Sequence, residues 1–124
     1  MNKVNSFKEL ETYQAAFSLQ QALFQASQRW PKKEDYSLTD QARRASRSVG
    51  ANLAEAWAKR RYPAHFLSKL TDADGELQET MHWVDSAFAC KYLEAAEDHD
   101  LLQRAAEVGR LLGGMIIRHE SFCY

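Results

Sequence analysis

Within RRASRSVGANLAEAWAKRR, residues 43–61, an amide and a carboxylate, Asn52 and Glu55, stand at or beside positions where an amphipathic helix should bury carbon. Turning about 100° per residue puts Gln41, Arg44, Ser48, Asn52, Glu55 and Lys59 on one narrow stripe, roughly 80° from the centre of the apolar one. Asn52 lies closest to the core. A partly dry amide left unpaired costs about 1–3 kcal/mol, so it needs a partner in this bundle or a neighbouring one. Glu76, on the flank of the next helical stretch, can face the same seam. The candidate pairs are Glu76 with Arg44 or Asn52, and Glu55 with Lys69, each bridging two helices. The seam residues Gln41, Arg44, Ser48, Asn52, Glu55 and Glu76 are therefore structural or ligand-binding. Acid–base work by Glu55 and Glu76 would also require a cleft and a substrate pose, which leaves a small-molecule enzyme as a remote alternative.

The same stretch is basic. Arg43, Arg44, Arg47, Lys59, Arg60 and Arg61 are opposed only by Glu55, whereas residues 72–100 are strongly acidic. Arg43 and Arg47 sit one turn apart on the outward face, and Lys59, Arg60 and Arg61 follow at a helix C-terminus, where the dipole favours cations. Arg43, Arg47, Lys59, Arg60 and Arg61 are the candidate contacts to RNA or DNA, because phosphate contacts add through counterion release even when each is weak. A solvated face with ordinary capping is the plainer alternative. The net charge of −1 argues against strong long-range attraction to a polyanion. Opposite patches on one chain can also steer it toward another protein or toward itself.

Other chemistries find little support. Glu79 and His82 form a Glu-x-x-His match, but di-iron bundles use two such motifs and two further glutamates, and both residues should point to solvent. No metal or other cofactor is expected. Cys90 and Cys123 lack a Cys or His neighbour at zinc spacing and read as reduced thiols. His65, His82, His99 and His119 are scattered and read as surface residues. No glycine-rich phosphate loop precedes a helix. No catalytic residue is assigned, and a non-enzyme is expected.

The elements that position these residues follow from period and punctuation. A chain of 124 residues, 45 % apolar and 27 % charged, is a single globular domain spanning residues 1–124. It contains neither a membrane-length apolar run nor a signal-peptide core, so a cytoplasmic protein is expected. A capping box at Ser6 and Glu9 opens helix one, whose apolar positions run to Trp30-Pro31. A second box, Ser37 and Asp40, opens helix two, with Leu38, Ala42, Ala45, Val49, Leu53 and Ala56 as its buried stripe. Pro63 suits the first turn of helix three, which carries Phe66, Leu70, Ala73, Leu77, Met81, Val84 and Phe88 to about Tyr92. EAAEDHD reads as a short turn with Asp98 as N-cap, ahead of the stripe Leu101, Leu102, Ala105, Val108, Leu112, Met115 and Ile116. Gly113-Gly114 inside that stripe suggests close backbone packing. The fold class is all-α, an up-down antiparallel four-helix bundle.

FKELETYQAAFSL, QARRASRSVGANLAEA and FLSKLTDADGELQETMHWVDSA together resemble the small four-helix-bundle family first met in intervening sequences of bacterial 23S ribosomal RNA genes. Gln41, Arg43, Arg44, Ala45, Ser48, Asn52, Ala54 and Glu55 match its most specific run, and Glu76 matches its acidic residue in helix three. Ala56 and Asp72-Ala73 depart from a usual glycine and a usual Gly-Ser pair. The resemblance implies a ring-like homo-oligomer, a homopentamer. It also implies kinship with the accessory protein of diversity-generating retroelements, which binds nucleic acid. Trp57 and Trp83, far round on their helices, are the candidate oligomer-interface residues, since aromatic side chains are enriched at interfaces; either could equally be a rim residue of the monomer core. The expected partners are further copies of the chain, RNA or DNA, or another protein; no membrane is expected.

Overall fold

Leu38, Ala42, Ala45, Val49, Leu53 and Ala56 are all buried, and the helix that carries them forms the floor of the core. In a computed structural model describing residues 4–124, the helices are α1 (Glu11–Ser27), α2 (Leu38–Ala58), α3 (Pro63–Ala89) and α4 (Ala95–Ile117). Short 3-10 turns occupy Phe7–Glu9, Lys32–Glu34 and His119–Phe122, and no strand occurs among the described residues. Each helix packs on its chain neighbours, α2 most extensively on α3, and α4 returns to α1. The bundle therefore runs up, down, up and down around one core, in which Leu19, Leu23, Leu53, Phe66, Leu77 and Leu112 are fully buried.

Several boundaries differ from the sequence expectation, each for a local reason. The Ser6 box caps the 3-10 turn rather than α1: Lys8 N–H donates to Ser6 Oγ at 3.2 Å and Asn5 N–H to Glu9 Oε2 at 3.1 Å. Leu10, extended and buried, separates this turn from α1. At the other end α1 stops at Ser27, ahead of Trp30, whose buried ring lies 6.4 Å from that of Tyr92. Ser37 does occupy the N-cap position of α2 but makes no capping bond. Its hydroxyl donates instead to the Glu34 carboxylate at 2.7 Å, a charged acceptor and so the stronger one. Together with the Tyr92 hydroxyl, that bond holds the Glu34 carboxyl below its ordinary pKa.

The core face of α3 is also rotated from the expected stripe. Phe88 is exposed and Met81 half-buried, while Thr80 and Ala87 are completely covered. Because α3 packs chiefly on α2, it buries the flank that faces α2, and Thr80 tolerates this by donating to Glu76 O at 2.8 Å. The helix ends at Ala89, not Tyr92, because Lys91 adopts a left-handed φ of 65°. Tyr92 N–H then reaches Ala87 O and Lys91 N–H reaches Phe88 O, a Schellman closure built on lysine where glycine is usual. The EAAEDHD segment is not a turn. Glu94 is the N-cap of α4 in place of Asp98, in a reciprocal capping box with Glu97. Gly113 and Gly114 do not mark close backbone packing: a Cβ at Gly113 would meet nothing within 4 Å, and one at Gly114 only the Arg118 side chain. The close approach is at Gly50, where an added Cβ would lie 3.3 Å from the Tyr13 ring.

Candidate functional site

The polar stripe of α2 faces α3, but its members do different things. Asn52 donates from Nδ2 to Ser48 O of its own helix at 2.9 Å, so the expected bridge from Asn52 to a second helix is absent. Being only half-buried, the amide needs no distant partner while a carbonyl one turn back is within reach. Glu55 and Lys69 do bridge the helices, at 2.7 Å, and Asp72 lies 3.7 Å from the same ammonium. Their hydrogen bond lowers the Glu55 carboxyl pKa and raises that of Lys69.

Glu76 is different again. Half-buried, it forms no hydrogen bond or ion pair with Arg44 or Asn52, contrary to the expected pairing. Its carboxyl pKa is raised, first by burial and then by Glu79 and Asp72, with Arg44 only partly offsetting them through space. Gln41 and Arg44 are exposed, and Ser48 takes part through its carbonyl. The seam is a row of separate local contacts rather than an assembled acid–base pair.

The basic stretch divides sharply. Arg43 is half-buried rather than outward-facing: its Nε donates to Ser27 Oγ at 2.8 Å, and its guanidinium lies 4.8 Å from the centre of the Phe24 ring. Ser27 in turn donates to Phe24 O at 2.8 Å, so this cation ties α2 to the end of α1. Arg60 is also engaged. It donates to Trp57 O at 2.9 Å, stacks 3.5 Å over the Trp57 ring and meets Tyr124 at 5.0 Å. Arg44, Arg47, Lys59 and Arg61 remain exposed without a carboxylate partner among the described residues, although Arg47 grazes Phe24 at 5.5 Å. Of the five expected nucleic-acid contacts, Arg47, Lys59 and Arg61 are available, and Arg44 of the seam joins them.

Two concavities flank this surface, neither of them legible as a motif. Between the N-terminal turn and α2 lies a mostly apolar groove of about 340 Å³, with Phe7, Tyr13 and Phe17 on one wall and Arg47, Gly50 and Ala54 on the other. Glycine in the interior of α2 was the available signal, since it permits the approach of Tyr13. At the corner where α2 gives way to α3, Lys59, His65, Ser68 and Lys69 line a shallower recess of about 150 Å³. At the C-terminus two aromatic side chains carry no sequence signal for their contacts. Phe122 packs 5.9 Å from Phe66, and Tyr124 covers Arg60.

Trp57 and Trp83 are both half-buried at the rim. Arg60 covers Trp57, and Trp83 donates from Nε1 to Glu79 at 3.2 Å with His82 against its edge. Glu79 and His82 are both exposed, as their position on the helix predicts. Cys90 is exposed and Cys123 half-buried, neither in a disulfide. No helix of the described residues is long and apolar enough to cross a membrane.

This geometry can be set beside known proteins. The family described as 23S rRNA-intervening sequence protein matches residues 8–114. Among solved structures, the chain is similar to a protein of unknown function from the S23 ribosomal protein family of Bacteroides thetaiotaomicron. The two share 21 % identity with a TM-score of 0.76, over 85 % of this chain and 94 % of the other, a likeness of fold. No curated protein matches the chain.

Proposed function

The chain belongs to the family of 23S rRNA-intervening sequence proteins, and we propose that it is a non-enzymatic binding module that assembles with further copies of itself and associates with RNA or DNA in the cytoplasm. A ring-like homopentamer is the assembly its family resemblance implies. One observation carries the nucleic-acid reading: Arg44, Arg47, Lys59 and Arg61 stand exposed on α2 and the turn after it without carboxylate partners among the described residues, while Arg43 and Arg60 are consumed internally. Exposed cations distributed along α2 and the turn after it suit phosphates spaced along a strand, and such contacts add. Assembly matters because one copy carries a net charge of −1 and offers few cations; repetition of the patch multiplies weak contacts.

The test is fluorescence anisotropy with single-stranded and duplex RNA and DNA across a salt series, on protein whose mass is measured by light scattering. Binding that weakens steeply with salt and falls on Arg44→Ala plus Arg47→Ala supports the proposal. Absence of binding at low salt refutes it.

A second reading has its own observation. The groove beside Gly50 and Tyr13 is largely apolar and leaves Phe17 45 % exposed, which suits a protein partner more than a phosphate backbone. Capture of such a partner, unaffected by loss of Arg44 and Arg47, would favour an interaction scaffold with no nucleic-acid role. Small-molecule catalysis at Asn52, Glu55 and Glu76 ranks last, since these side chains converge on no common point of contact.

A further inference from the structure

The recess at the α2–α3 corner is lined entirely by cationic and polar side chains. Lys59 and Lys69 bring ammonium groups, His65 an imidazole N–H and Ser68 a hydroxyl, and none of the four lining side chains is a carboxylate. Lys69 is held by Glu55 at 2.7 Å and lies near Asp72 at 3.7 Å. Lys59 and His65 have no ion-pair partner and the Ser68 hydroxyl no hydrogen bond among the described residues. Arg61 stands nearby on the turn, and the first turn of α3 contains no acidic side chain to occupy these donors. A recess of about 150 Å³ lined by two ammonium groups, an imidazole and a hydroxyl, with no carboxylate in the lining, favours an oxyanion, and phosphate, with oxygens on every side, can meet several donors at once.

We propose that this corner is a phosphate-binding subsite in which Lys59, His65 and Ser68 donate to one phosphate group, beside a Lys69 held by Glu55. Resting on the nucleic-acid reading above, the phosphate it takes belongs to an RNA or DNA strand that continues along α2 toward Arg47 and Arg44. A free phosphate ion has the same chemistry, and the experiment separates the two sources.

The full-length protein and its Lys59→Ala plus Ser68→Ala variant are compared by anisotropy with a short single-stranded RNA over a salt series. In parallel, inorganic phosphate is titrated at constant ionic strength while the backbone amide NMR signals of His65 and Ser68 are followed. The expected result is a several-fold loss of RNA affinity in the variant, a salt slope shallower by about 0.7 for one lost contact, and phosphate-dependent shifts at His65 and Ser68. RNA binding with unchanged affinity and slope in the variant overturns the subsite and leaves the nucleic-acid reading intact. Amide shifts with phosphate but no RNA binding by the wild type keep the subsite, assign it to free phosphate and overturn the nucleic-acid reading. Neither RNA binding nor shifts overturns both.

Discussion

The two flanks of α2 are built on opposite principles. Toward α1, Gly50 lets the Tyr13 ring come close, and Arg43 reaches across to Ser27 and Phe24, so this flank is tight and its cation structural. Toward α3, the side chains are polar and half-exposed, Asn52 bonds to its own helix and Glu55 meets Lys69 in solvent. Yet α2 packs more extensively on α3 than on α1. Extent of contact and sensitivity to substitution are therefore separate properties: the α3 side is held by apolar surface beneath the seam, and the seam itself is replaceable.

Gly50→Val should break this contrast most strongly. The added carbons must displace the Tyr13 ring, and overpacking of this kind costs about 1–3 kcal/mol, read as a lower urea midpoint. Gly113→Ala is the control, since a Cβ there meets nothing within 4 Å. That substitution should stabilise by up to about 1 kcal/mol through helix propensity. Equal effects at the two glycines would remove the claim that the α1 flank is tight.

Next in size is the difference between adjacent arginines. Arg43→Ala deletes a charge-assisted hydrogen bond and a cation–π contact and should cost about 1–2 kcal/mol. Arg44→Ala should fall within about 0.5 kcal/mol, being exposed, while weakening RNA binding more than Arg43→Ala does. Chemical denaturation and anisotropy on the same two variants check both halves, and a reversal of the two orders would undo the division of the basic stretch.

Asn52→Leu should be smaller still, within about 0.5 kcal/mol, because the lost bond lies inside one helix and the side chain is only half-buried. A larger fall in unfolding temperature would mean that the amide has a partner in a neighbouring copy.

The contrast also explains what could be read in advance. Period and the Ser37 box located α2, and every residue of its expected apolar stripe is buried, since burial follows from angle about the helix axis; the small or polar Thr39, Ser46 and Gly50 are buried too and carry no apolar signal. It misplaced the α3 face because Thr80, polar in any pattern, is buried through a bond to its own backbone, and because the partner helix decides which flank is covered. The Glu55–Lys69 bridge was legible from facing flanks. The Arg43–Ser27 bond was not, as it depends on where α1 stops, a boundary that the Trp30-Pro31 signal sets later than the observed Ser27. The corner recess joins the end of one helix to the start of the next, a juxtaposition no single periodic stripe contains.

Glu55 and Glu76, on facing helices of the same seam, provide the smallest and most diagnostic test, because their contributions to stability run oppositely with pH. The Glu55 carboxyl is held below its ordinary pKa by Lys69, so its contribution is present above the usual glutamate range and disappears as pH falls through the lowered value. Glu76 is pushed above its ordinary value by burial and by Glu79 and Asp72. The fold therefore favours its neutral form, and the associated stability is full below the usual range and is lost as pH rises through the raised value. Glu55→Gln should lower the unfolding temperature slightly at neutral pH and leave it unchanged in acid. Glu76→Gln should raise it at neutral pH, with the gain vanishing in acid. Added salt should shrink the Glu55 effect, which arises from an exposed pair, and leave more of the Glu76 effect, because desolvation is not screened. Thermal unfolding of both variants at two pH values and two salt concentrations decides the matter: parallel shifts of the same sign would mean that Glu76 has found a cation, and that the α3 flank is ion-paired throughout.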